Sequence, residues 1–194
     1  MYDVQREVVL HRFMLLVGMG MGVIASNACA AGPNLPLALL DAGADPDARD
    51  NRNGWTPLMH AIHKQHVGAV RLLLDRGADP NARIPAFTPL MMAAAERDPA
   101  FVKRLLEYGA DPKPRGTGGA TTLSQAVSGG ALSDIDRPLL GGCRAETVRL
   151  LKTHDPTIDM PDTIAGWHAL WWAKFHGCQE VIDMVGASGM RAKG

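Results

Sequence analysis

A chain of 194 residues has room for one domain of ordinary size or for an elongated array of small units. Hydrophobic residues make up 46% and charged ones 21%, which excludes a disordered or fibrous chain. Lys plus Arg equals Asp plus Glu at 20 each, so no net field gathers nucleic acid or an anionic surface, and nucleic acid is excluded as the main partner.

From Phe13 to Leu40 there is no charged side chain. Arg12 precedes an apolar opening, Phe13 to Val17, and Ala28-Cys29-Ala30 offers a small-residue cleavage site, so residues 1–30 have the outline of a secretory signal peptide. Asp3 and Glu7 offset Arg6 and Arg12, which departs from that outline. The same run over residues 13–31 would serve as an uncleaved membrane tether, with Gly18 and Gly22 as a packing face. It also fits the first helix of a leading helical unit. Export, a periplasmic location or membrane anchoring is the expectation, with a cytoplasmic location as the alternative.

The string Gly-Ala-Asp-Pro then recurs at Gly43, Gly77 and Gly109, with successive copies 34 and 32 residues apart. A degenerate fourth copy is His154-Asp155-Pro156. One unit can be read from physics alone. Thr56 caps a helix with its hydroxyl, and Pro57 in the first turn forfeits only an amide that has no partner. Leu58, Ala61 and Ile62 make one buried stripe. A break near Gln65-His66 leads to a second helix with Val70, Leu73 and Leu74 facing inward. Gly77 ends that helix in the left-handed conformation, Asp79-Pro80-Asn81 bends the chain outward, and a turn like Asn53-Gly54 brings it back. Such a unit cannot bury a core alone, so neighbours stack.

Thr-Pro-Leu-x-x-Ala at Thr56 and Thr88, followed by leucine-rich helices and Gly-Ala-Asp-Pro, resembles the ankyrin repeat, in the form carried by bacterial ankyrin-repeat proteins. The resemblance spans about Ala28 to Val185 and is unbroken over residues 51–83. It implies an all-α solenoid of about 4–5 stacked helix-turn-helix units with hairpin-like fingers, occupying residues 31–187. The expected repeats are 22–50, 51–83, 84–115, 116–159 with an insertion at 131–143, and 160–187, before a tail at 188–194. The family's usual histidine after Thr-Pro-Leu is replaced by Met59, Met91, Ser124 and Trp171, so its bond to a neighbouring loop is expected to be missing. His168-Ala169 stands where Thr-Pro would begin the last unit, which is read as a cap ending near Val185-Gly186-Ala187. Of the adjacent Trp171 and Trp172, at least one is expected to fill the end of the core.

No catalytic, cofactor or metal site emerges. Cys29, Cys143 and Cys178 form neither a Cys-x-x-Cys pair nor a zinc pattern. His60, His63 and His66 share spacing but lack further ligands, and are read as solvated or capping. Asp45 to Gly54 lacks the alternating ligands and closing Glu of a calcium loop, and Gly116 to Gly119 lacks the lysine of a phosphate loop.

The aromatic pattern is more suggestive. Trp55, Phe87 and Trp167 each stand just before the Thr-Pro-Leu position, with Ala120 as the exception, and on an ankyrin finger they would form a broken row. The alternative is that each packs on the next finger. The expected function is a non-catalytic, monomeric scaffold without a small-molecule substrate, binding a protein through Arg52, Trp55, His63, Lys64, Arg83, Phe87, Glu96, Arg115 and Trp167. Alternatives are an accessory or structural protein of the cell envelope, and a regulatory subunit of an enzyme. Cys143 and Cys178 both precede the second helix of adjacent repeats, so a disulfide between them is expected if the protein leaves the cytosol. Equivalent loops on packed helices about 8–10 Å apart are slightly too distant for a bridge, but Gly141-Gly142 lets Cys143 lean across.

Overall fold

A computed structural model describes residues 37, 40–96, 98–128 and 143–189, all helix, turn or loop without a strand. The signal or anchor expected over residues 1–30 and all but Cys143 of the insertion expected over 131–143 lie outside the described residues. From residue 57 on, the α-helices among the described residues run in this order: α1 (Pro57–His63), α2 (Val67–Asp75), α3 (Pro89–Ala95), α4 (Pro99–Glu107), α5 (Thr122–Ser128), α6 (Ala145–His154), α7 (Ile164–Phe175) and α8 (Gln179–Gly189). The last continues beyond the expected end near Ala187 to Gly189.

The odd-numbered helices form one row, α1 on α3, α3 on α5 and α5 on α7. The even-numbered ones form a second, α2 on α4, α4 on α6 and α6 on α8. This is the two-layer stack of a helical solenoid.

Local chemistry sets the helix boundaries. Thr56 Oγ1 accepts from the Met59 amide at 3.4 Å, and Thr88 Oγ1 from the Met91 amide at 3.2 Å. Each cap is followed by proline in the first turn. Where α5 lacks the proline, Thr121 Oγ1 accepts from the Ser124 amide at 3.2 Å and Ser124 Oγ accepts from the Thr121 amide at 2.9 Å, a reciprocal cap with serine in the usual glutamate's place. Gln65 turns the chain between α1 and α2 at φ +57°, and Gly77 and Gly109 stand at φ +85° and +82° just past α2 and α4.

One core runs through all four pairs, from Leu58, Ile62 and Val70 through Leu90, Phe101 and Leu105 to Leu123, Val148 and Leu151. Beyond α5 the filling changes. Ala169 and Ala173 occupy the core positions of α7, whereas Trp171 is 56% exposed and Trp172 only half-buried. The expectation that a tryptophan fills the end of the core is therefore corrected. The short alanines let α7 lie close against α5, and that close approach leaves no room for an indole between them. On the side of the second helices, polar clamps join neighbouring units: Arg76 to Asp41 at 2.6 Å, Tyr108 to Asp75, and Arg149 to Glu180.

Cys143 and Cys178 meet between α6 and α8 with Cα atoms 5.2 Å apart, inside the range that a bridge requires. Cys178 is buried and Cys143 exposed.

Candidate functional site

The first three fingers are each a turn closed by one backbone bond. The Asp50 amide donates to the Trp55 carbonyl at 3.0 Å, the Ile84 amide to Phe87 at 3.1 Å, and the Gly116 amide to Ala120 at 2.8 Å. In the first finger, Asp50 Oδ1 accepts from the amides of Arg52, Asn53 and Gly54 at 3.0, 2.9 and 3.0 Å, while Gly54 takes φ +72°. One carboxylate thereby satisfies three amides of a tight turn.

The other oxygen of Asp50 meets His60 Nε2 at 2.5 Å, and both side chains are about nine-tenths buried. The solvated reading of His60 is thus corrected. The bond to the loop, expected to be missing with Met59 in the usual place, comes from His60 one residue later. Met59 is itself fully buried. Burial pushes the Asp50 carboxyl up, but the amides of Asn53 and Arg52 and the His60 ring outweigh it and hold the group below its ordinary value of 3.8. A carboxyl lowered in the fold stabilises it above the unfolded value, and that stabilisation is lost as pH falls through the lowered one. Asp47 has the opposite sign, being pushed up chiefly by burial and also by Asp79 and Asp45. The test therefore compares Asp50→Asn with the parent protein. The variant keeps the turn acceptor but cannot ionise, so below about pH 4 it loses less stability on acidification than the parent, as read by urea unfolding at a series of pH values. Equal slopes for the two proteins would refute the assignment.

Successive fingers are joined in register. Arg49 Nη1 donates to the Gly54 carbonyl at 3.2 Å and to the Arg83 carbonyl at 3.1 Å, and Arg83 Nη2 donates to the Arg115 carbonyl at 2.6 Å. The same side-chain type thus makes the same bond one repeat apart. Behind it, Asp47 accepts from the Asp79 amide at 2.9 Å, and Asn81 accepts from the Asp111 amide at 2.8 Å while donating to the Gly109 carbonyl at 3.0 Å. Sequence reasoning missed Arg49, Asp47, Asp50 and Asn81. The signal available was the recurrence of a polar residue just after each Asp-Pro step, at the repeat spacing.

The residues expected to face a partner fall into three groups. Arg52, Lys64, Arg83 and Arg115 are exposed on fingers or at the end of α1. Trp55 is half-buried with its ring 5.2 Å from both His60 and His63, so it packs on its own helix. Phe87 is half-buried at the base of its finger, and Glu96, also half-buried at the end of α3, accepts from Gln65 Nε2 at 2.7 Å. Trp167 stands apart. The helix expected to begin at His168 starts at Ile164 behind Thr163, a turn earlier, so Trp167 lies within α7 and is 72% exposed. The aromatic row on the fingers consists of Trp55 and Phe87, and its expected extension to Trp167 is corrected.

A site of this build offers a strip of exposed side chains on a backbone that bonds to itself. Among the described residues no group of three or more His, Cys, Asp or Glu is placed to hold a metal ion. Residues 25–116 match the family model for ankyrin repeats in three copies. The chain is an ankyrin-repeat protein. It is 45% identical over 49 residues to the ankyrin repeat protein nuc-2 of Neurospora crassa, covering 25% of this chain and 5% of that one. It is 49% identical over 45 residues to the 2-5A-dependent ribonuclease of Mus musculus, covering 23% and 6%. It is 46% identical over 48 residues to the B-cell lymphoma 3 protein homolog of the same species, covering 25% and 11%. The matched segment spans about a tenth or less of these relatives' length, so the likeness is one of repeats. Ankyrin repeats generally serve as protein-interaction modules, and this chain carries such a module. No helix among the described residues is long and apolar enough to cross a membrane.

Proposed function

We propose that this ankyrin-repeat protein is a non-catalytic scaffold that holds one protein partner along its fingers and first helices. The observation that carries this reading is the division of labour in the fingers. Their backbone carbonyls and amides are consumed by Asp50, Arg49, Arg83 and Asn81, so the strip is rigid and the exposed side chains on it are presented without further ordering. Preorganisation of this kind lowers the entropic cost of binding. Trp55 and Phe87 supply the large, stiff surfaces on which binding energy concentrates.

The test has two steps. Capture with mass spectrometry identifies the partner, and titration then compares the parent chain with Trp55→Ala/Phe87→Ala and with Tyr108→Ala at the end of α4. The finger variant is expected to weaken binding by more than about 1 kcal/mol, with the Tyr108 variant unchanged. Equal affinity of a folded finger variant would move the partner elsewhere.

For location, the reading favoured is an exported protein, periplasmic or membrane-anchored. The uncharged stretch from Phe13 to Leu40 supports it, as does the approach of Cys143 to Cys178, because a structural disulfide persists in oxidising compartments. A reporter fused to the chain and active only outside the cytoplasm decides between export and a cytosolic protein with two thiols.

A further inference from the structure

The outward side of α7 does not look like the end of a solenoid. A terminal repeat normally turns a polar face to water, because nothing stacks on it. Here Ile164, Trp167, Trp171 and Phe175 are 80%, 72%, 56% and 68% exposed. Ile164, His168, Trp171 and Phe175 follow one another at intervals of four, three and four residues, which places them on one helix face. Gly166, Ala169 and Ala173, buried toward the rest of the molecule, lie on the opposite side. The stripe is organised, with the Trp171 and Phe175 rings stacked at 5.4 Å and 17°. So α7 is apolar on two faces, and the described residues cover only one of them.

We propose that the second face is covered by a second copy of the same helix, packed antiparallel across a two-fold axis. Three observations favour this occupant. Aromatic side chains bury about 150–250 Å² each, so at these exposures the stripe offers roughly 600 Å² per copy, and two copies reach the lower end of specific interfaces at about 1,200 Å². The alternating spacing of four and three is the one that lets two helices interlock along their length, and an antiparallel pair sets Ile164 against Phe175 and His168 against Trp171. Charge agrees with that direction. Exposed Asp162 precedes the helix and exposed Lys174 stands in its last turn, so antiparallel copies bring opposite signs together at both ends, where a parallel pair would set like against like. The helix dipoles are also paired head to tail. This interface is separate from the finger strip, and its test does not involve the finger partner.

Sedimentation of the full chain across roughly 10–1,000 µM reads the association. The expected mass rises from that of one chain toward twice that value. Ile164→Glu and Phe175→Lys, both at exposed positions, should each weaken self-association at least tenfold while the far-ultraviolet ellipticity stays that of the parent. In the antiparallel register the carboxylate introduced by Ile164→Glu on one chain faces the ammonium introduced by Phe175→Lys on the other, so an equimolar mixture of the two variants should recover association as a mixed dimer. A single-chain mass at every concentration overturns the proposal and leaves the face to a different protein or to a following repeat. A dimer indifferent to both substitutions, or a mixture that fails to recover, overturns the register.

Discussion

Gly116→Ala is expected to cost about 3 kcal/mol in unfolding free energy, a large fraction of what holds a chain of this size together. Its backbone is extended, with φ −92°, so strain in φ is not the cause. The obstacle is space. A Cβ on Gly116 would stand 2.0 Å from the carbonyl oxygen of Ala86 and 3.0 Å from its carbonyl carbon, both backbone atoms of the preceding finger. Neither finger can easily give way, since the Gly116 amide is bonded to Ala120 and Ile84 is bonded to Phe87 across the same turns. Gly77→Ala provides the contrast. Nothing lies within 4 Å of its added carbon, so it bears only the cost of φ +85°, roughly 1–2 kcal/mol. Urea unfolding of both variants checks the order. If Gly77→Ala proves the more damaging, the close approach of the fingers is not what holds this region in place.

Reduction of the Cys143–Cys178 pair is expected to cost a similar amount. The two residues are 35 apart in sequence, and closing a loop of that length restricts the unfolded chain by about 3.8 kcal/mol in the chain-entropy treatment. The loss should fall on α6 to α8, since the bridge ties the start of α6 to the start of α8. Thermal unfolding of oxidised protein with and without reductant, and of Cys143→Ser, measures it. Cys143→Ser is the better probe because Cys143 is exposed whereas Cys178 is buried, so its loss opens no cavity. If the midpoint is unaffected by reductant in protein whose thiols are shown to be paired, the entropic account fails here.

The parts legible in the sequence were those decided within a few residues. Thr56-Pro57 and Thr88-Pro89 start helices wherever they occur, and Gly77 and Gly109 end them because few other residues take positive φ. The repeat spacing carries these signals along the chain. Asp50 was not legible, because its importance lies in three amides and a histidine ring that converge only once the turn has formed. The arginine bonds were hidden for a related reason: Arg49 and Arg83 act on carbonyls of the following repeat, and nothing local to either residue announces it. Trp167 was misplaced by trusting the repeat register where its Thr-Pro had been lost. Thr163 opens a longer helix there, and one extra turn moves a finger residue onto a helix face.

The arginine bonds also have a mechanical meaning. A strip in which each finger grips the next distributes a pull on any one of them over its neighbours, so force applied by a partner at Trp55 is shared with the turns at Arg83 and Arg115. Among the described residues that chain of grips is not carried on by Arg115. The next junction is held by Thr163 Oγ1 donating to the Gly119 carbonyl at 3.4 Å and by Lys113 paired with Asp155 at 3.4 Å, both longer than the arginine bonds. Under tension the molecule should therefore yield first between the third and fourth fingers. Amides on the fingers of residues 50–87 should then exchange with solvent together, as one block, and those around Thr163 earlier.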